Sequence, residues 1–258
     1  MGRIITFYSY KGGTGRSFLL ANVAWILAST GRRILLVDWD LEAPGLHNYF
    51  HPFLRDPLLT TSPGLMDWVS DYQSVATDLA ADINEVPREI LERLSDPTPY
   101  VLALDTKQFE LSGFGTLHLL PAGQQNSNYP DVVNRFDWVR LYERLGGERF
   151  FSMPRKQMAD KYDYILIDSR TGVSDTSGIC TLEMPDDLVV CFTLNNQGIR
   201  GASGVARTAV AKLPRPDAEI FPVATRIDRS EKLKLQAASV LYPKFLDGCY
   251  TQCRGTKW

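Results

Sequence analysis

Apolar residues along this chain fall into two alternating rhythms. Short runs rich in β-branched residues read as strands at Ile4–Tyr8, Arg33–Val37, Thr116–Leu120, Tyr164–Ile167, Leu188–Phe192 and Glu219–Ala224. Between them, apolar positions recurring every three or four residues predict helices at Ser17–Ser29, Asp137–Leu145, Ser174–Leu182, Ile199–Lys212 and Leu233–Leu241. The first of these, SFLLANVAWILAS, is apolar almost all round, which predicts that it is packed between the sheet and other elements. Gly31 follows it as a C-terminal cap. Unbroken apolar strands such as ILLV and YILI suit a parallel sheet covered on both faces. The alternation predicts one doubly wound α/β domain over residues 1–258, a mostly parallel sheet with helices on both faces.

The rhythm breaks between Pro52 and Lys107. Pro52, Pro57, Pro63, Pro87, Pro97 and Pro99 punctuate this stretch, with helical patterns at Leu65–Tyr72 and Ile83–Leu94. No long polar linker flanks it, so it reads as a mostly helical insertion on the domain edge.

Composition narrows the class without choosing a function. The 258 residues are 44% hydrophobic, enough for a sizeable core, and the formal net charge is −2. Charge is uneven locally. Residues 67–110 hold ten acidic against three basic, and residues 200–234 hold eight basic against four acidic. Solvated faces account for both, and a docking surface in the second is the alternative. Cys180 and Cys191 lie in apolar runs and read as core residues, while Cys249 and Cys253 lack the second pair a zinc site needs. There is neither a signal-peptide pattern nor an apolar stretch of membrane-spanning length, which points to a cytoplasmic setting. Gly2 runs straight into a strand, which argues against myristoylation. The final YTQCRGTKW carries no helix or strand pattern, leaving a fragment of a longer chain and a naturally short chain as alternatives.

The chemistry gathers in three places. KGGTGRS, residues 11–17, follows the first strand and opens the first helix. Backbone N–H groups of such a glycine loop, Thr14 among them, bind phosphate oxygens, and Gly12, Gly13 and Gly15 let the chain fold round the anion. Arg16 reaches toward β- and γ-phosphates, Ser17 is placed to ligate Mg²⁺, and Phe18 continues the helix start that faces the nucleotide. The strict phosphate-loop pattern has glycine at position 10 and lysine at position 16, where this chain has Tyr10 and Arg16. Next, LLVDWD ends the second strand with Asp38 and Asp40 on the same side of an extended stretch. Finally, YILIDSRTG puts Asp168 at the end of a buried strand, with Gly172 able to offer a bare N–H to a γ-phosphate. Each piece alone is weak, and the three in this order at α/β spacing are specific.

KGGTGRS, VDWDLEAPGL and YDYILIDSRTG together resemble the ParA/MinD family of deviant-Walker P-loop ATPases, over Met1 to about Asp228. FYSYKGG and LEAPGL are most similar to a bacterial subgroup in which the ATPase heads a longer multidomain regulatory protein. The resemblance implies a P-loop NTPase fold, ATP and ADP as ligands, Mg²⁺, and a homodimer that sandwiches two ATP molecules. It implies catalytic roles for Lys11, Arg16 and Asp40, with Lys11 reaching the partner subunit's nucleotide and Asp40 positioning the attacking water. It places Ser17, Asp38 and Asp168 at the metal, directly or through water, and adenine in the loops after the last strands. Of those loops, 193–202 and 223–231 are candidates, with Arg226 and Asp228 preferred. The family usually has proline after the second carboxylate motif, where this chain has Ser169, Arg170 and Thr171. Arg170 is open between a phosphate or partner contact and a surface ion pair.

His47, His51 and His118 are too scattered for a metal site, and His118 reads as a satisfied core histidine. The aromatics of FDWVRLYERL lie at packing spacing, and LPAG at 120–123 reads as a strand-ending turn. The expected function is a slow ATP-driven switch that signals to an unidentified protein partner or fused effector domain. The alternatives are a nucleotide-sensing module with little turnover and a DNA partition or positioning ATPase, the latter disfavoured by the net charge. No acceptor motif supports a kinase.

Overall fold

The computed structural model describes residues 2–80, 86–107, 113–170, 184–212, 218–228, 230 and 236. The helix expected at 174–182 lies outside the described residues, as does that at 233–241 except for Gln236.

Strand β1 (Arg3–Ser9) leads through the glycine loop into α1 (Arg16–Ser29) and then β2 (Arg33–Trp39). A 3₁₀ helix (Leu46–Phe53), α2 (Leu65–Ala80), α3 (Arg88–Leu94) and the two-residue β3 (Leu102–Ala103) follow. Then come β4 (Thr116–Leu120), α4 (Tyr129–Arg135), α5 (Trp138–Arg144) and α6 (Gly147–Lys161). The described chain continues with β5 (Tyr164–Ser169), β6 (Asp187–Thr193), α7 (Asn196–Lys212) and β7 (Ile220–Thr225). The seven strands lie in the order β3-β4-β2-β5-β1-β6-β7, parallel throughout except for the edge strand β3. The expected doubly wound, mostly parallel α/β sheet is what the chain builds.

Alternation along each strand divides the core between two faces. Ile34, Leu36 and Leu166 pack with Leu20, Ala21, Ala24 and Ala28 of α1. Leu35, Val37, Trp39, Ile165 and Ile167 point the other way, into a layer built from α2, α5 and α6. There Phe150 stacks on Tyr72 at 4.0 Å between ring centroids and tilts against Trp68 at 4.8 Å. Farther along the sheet, Tyr8, Val190 and Phe192 carry Ile199, Ala202 and Ala209 of α7. The stretch 52–107 thus supplies α2, whose Leu65, Trp68, Val69 and Tyr72 lie in the main core, together with α3 and β3.

Helix α1 is less covered than its apolar sequence suggests. Phe18 and Ile26 are 59% and 61% exposed, two turns apart on one edge. The alanines at 21, 24 and 28 bring the opposite side close to the sheet, and that side alone is sealed.

Candidate phosphate-binding and carboxylate site

The loop between β1 and α1 is shaped by its glycines. Gly13 and Gly15 take φ of 71° and 91°, the left-handed region that side chains resist. Gly15 is also the N-cap of α1 and contributes no side chain to the helix's first amides. A Cβ at Gly12, Gly13 or Gly15 would touch nothing within 4 Å. The inner wall of the loop is therefore bare backbone at a helix N-terminus, which suits an anion.

Register brings the carboxylates to this loop. β2 and β5 are neighbours, and Asp38 pairs with Asp168 across them. Arg16, in the first turn of α1, turns its guanidinium inward between the strands. Its Nε bonds Asp168 Oδ1 and its Nη2 donates to Asp40 Oδ2 at 2.8 Å. Arg16 is only 5% exposed and Asp168 1%, so this is a buried bridge from the loop to both acidic motifs. Burial alone would lower the arginine's pKa, but Asp168 and Asp40 overcome that and hold it above the ordinary value. Ser17 also bonds Asp168, which itself is raised by burial while Arg16 opposes the rise. Asp38 is pushed up to about 8 by burial first and by neighbouring Asp168 second.

The segment after β2 is tied at several points. Asp38 accepts the backbone N–H groups of Asp40, Gly45 and Leu46 at 3.1–3.2 Å. The hydroxyl of Tyr129, at the start of α4, donates to the Leu41 carbonyl at 2.9 Å. Arg170, from the end of β5, pairs with Glu42 at 2.6 Å, and this ion pair is the partner the structure gives it. Lys11 stands exposed at the front of the loop, its Nζ bonded to Gln197 Oε1 of α7.

The remaining expected residues are more dispersed. Gly172 lies outside the described residues. Arg226 is exposed with φ of 52°, and Asp228 accepts the N–H and hydroxyl of Ser230 in a local turn. Phe18 is exposed beside Tyr49, with ring centroids 6.0 Å apart. His118 meets Tyr162 at 2.7 Å, as a satisfied histidine should.

The donor set fits a nucleotide-borne Mg²⁺. Among the described residues no three acidic, imidazole or thiol groups form a closed metal cage. Mg²⁺ does not need one, because it keeps several waters and takes substrate phosphates as ligands. Ser17 with Asp38 and Asp168 is the hydroxyl-and-carboxylate set that such an ion uses.

Residues 5–243 match the model of the CobQ/CobB/MinD/ParA nucleotide binding domain. The chain belongs to this family. Within it, the leading Lys11 of the loop marks the deviant-Walker ParA/MinD type. The septum site-determining protein MinD of Synechocystis is 28% identical over 173 residues, covering 67% of this chain and 47% of that protein. The tyrosine-protein kinase ptk of Acinetobacter johnsonii is 24% identical over 176 residues, covering 68% of this chain and 17% of that protein. The chain thus spans about half of the one relative and under a fifth of the other. Among solved structures, MinD from Pyrococcus horikoshii in complex with Mg-ADP superposes with a TM-score of 0.55 at 20% identity, covering 96% of this chain and 86% of that one. At that identity the likeness establishes the fold.

For this family domain, sequence order identified the loop and the three aspartates but not their supports. Gln197, Tyr129 and Glu42 come from separate loops and elements, and no spacing in the sequence links them to the residues they hold. Ser9, which contacts both the Lys11 carbonyl at 3.0 Å and Arg16 at 3.4 Å, ends β1, one residue past the strand expected from the sequence.

Proposed function

We propose that this chain is a Mg²⁺-dependent ATP hydrolase acting as a molecular switch. ATP closes two copies into a homodimer, and hydrolysis releases them to signal to a protein partner or a fused effector domain. The observation that carries the reading is the double reach of Arg16. One loop residue binds Asp168 of β5 and Asp40 after β2, so the loop and both acidic motifs meet at one point. Mg-ADP in the Pyrococcus horikoshii relative supports nucleotide and metal as ligands. Among the described residues no helix is long and apolar enough to cross a membrane.

In this reading the loop amides of residues 12–18 hold the β-phosphate and Arg16 adds fixed positive charge. Mg²⁺, when bound, supplies charge that neutralises the β- and γ-phosphate oxygens. Asp40, held by the Arg16 guanidinium, orients the attacking water. Arg226 and Asp228 border the base. Lys11, at the outer edge of the loop, meets the triphosphate of the second copy. Two triphosphates buried face to face need such cations to offset their repulsion.

Light scattering of the purified chain with Mg-ATP, Mg-ADP and neither checks this. The mass should double with ATP alone, and Lys11→Ala should stay monomeric. A variant that still dimerises with ATP removes Lys11 from the interface. A sensing module with little turnover is the second reading, favoured by the two carboxylates that compete with phosphate for Arg16. Appreciable Mg²⁺-dependent phosphate release would exclude it.

A further inference from the structure

Tyr10 stands where the strict phosphate-loop pattern has glycine, and the fold accommodates it with a glycine elsewhere. The Tyr10 side chain lies on α7 at Gly201. A Cβ at Gly201 would come within 2.9 Å of Tyr10 Cβ and nearer still to Cγ and Cδ1 of the ring. That clash reaches the root of the side chain, so turning the ring alone cannot relieve it, and residue 10 or α7 would have to shift. Gly201 sits inside a 17-residue helix. Glycine there costs about 1 kcal/mol relative to alanine, which calls for a compensating contact. One turn earlier on the same helix, Gln197 holds the ammonium of Lys11. On the other side, the Ser9 hydroxyl donates to the Lys11 carbonyl at 3.0 Å. Buried Ile199 and Ala202 fix α7 to the strands beside β1.

We propose that Gly201 and Gln197 are positioning residues for Lys11. Gly201 is the seat for Tyr10, which sets the backbone of the next residue, and Gln197 holds the ammonium at the open front of the loop. The choice of an amide matters. A glutamine orients the lysine by a hydrogen bond but leaves its charge uncompensated, so the ammonium stays available to an anion on another molecule. A carboxylate at 197 would neutralise it. This inference rests on the reading of Lys11 as a cation for the second copy's triphosphate, and it identifies what aims that cation.

The test measures dimerisation by sedimentation with Mg-ATP, and ADP affinity by titration, for the unmodified chain, Gly201→Ala, Tyr10→Gly/Gly201→Ala, Gln197→Glu and Lys11→Ala. Gly201→Ala should raise the protein concentration at half-dimerisation about tenfold, in the range by which contacting residues couple. Its ADP affinity should change much less, because ADP binding does not use Lys11 of the same copy. Adding Tyr10→Gly should restore part of the loss, since it removes the clash but also the seated ring. Gln197→Glu should also weaken dimerisation. Normal dimerisation by Gly201→Ala, or a double variant no better than the single one, overturns the proposal, as does a parallel loss of ADP affinity. Should the unmodified chain stay monomeric with ATP, the sandwich reading fails by itself. The seat is then judged by urea unfolding, where Tyr10→Gly and Gly201→Ala must be non-additive, and additive effects overturn it.

Discussion

Arg16 shows most clearly what a single residue does in this site. Its guanidinium is planar, permanently charged and forked, so one branch can serve Asp168 and another Asp40. Removing it would leave acidic groups buried without their cation. Arg16→Ala should therefore lower the unfolding free energy by about 3 kcal/mol, the cost of breaking a buried pair. Urea denaturation measures this. Arg16→Lys, which keeps the charge but cannot fork, should fall between the two, and equal midpoints for all three proteins would mean that the bridge contributes nothing. Asp40 belongs to the same scale. Asp40→Ala should abolish phosphate release while ATP binding and the ATP-dependent dimer persist. Unchanged release would take Asp40 out of the chemistry. The three aspartates were legible in the sequence because each ends or follows an apolar strand. The inward turn of Arg16 was not, because the sequence shows a loop cation but not which anions lie nearest to it.

At the scale of elements, the strands were readable and several helices were not. Continuous apolar runs mark β1, β2, β4, β5 and β6, since a parallel strand is buried on both faces. Helix α6 was hidden by Pro154, which lacks an N–H and ordinarily ends a helix. Here Pro154 is buried against the core, where packing by Phe150, Phe151 and Met158 outweighs the lost hydrogen bond. Strand β3 has two residues, too few for any periodicity. The proline-rich stretch concealed how α2 joins the main core, because turn signals on both sides obscured its apolar stripe. Trp68 tests that role. It is 2% exposed, packs on Phe150 and donates from its indole N–H to the Leu94 carbonyl at 2.8 Å. Trp68→Ala should cost about 3–5 kcal/mol, the range for emptying a large buried aromatic site. A loss below about 1 kcal/mol in the same urea measurement would place α2 outside the cooperative core.

The whole molecule's stability should depend on two histidines in mildly acidic solution. His118 on β4 faces the Tyr162 hydroxyl after α6, and His47 lies in the 3₁₀ helix that follows the Asp38–Gly45 segment. Burial holds both below the ordinary histidine value, and nearby His51 lowers His47 further. Burial also pushes the Tyr162 phenol up, so it remains protonated and neutral across this range. The folded state thus prefers both imidazoles neutral, whereas the unfolded chain takes up protons below about pH 6.5. In that window the unfolded state binds more protons, so these groups withdraw stability as pH falls from about 6.5 toward their folded values, and the loss levels off below those values. Asp38 acts in the opposite sense. Its folded value of about 8 makes the protonated folded form increasingly favoured as pH falls. The unmodified protein alone therefore cannot isolate the histidine effect, and the comparison has to be between variants. Urea midpoints at pH 7.5 and 5.5 for His118→Gln, His47→Gln and the double variant provide it. Each single variant should lose less stability on acidification than the unmodified chain, and the double variant least of all. If all four shift equally between the two pH values, burial of these imidazoles does not govern the acid side of the stability curve.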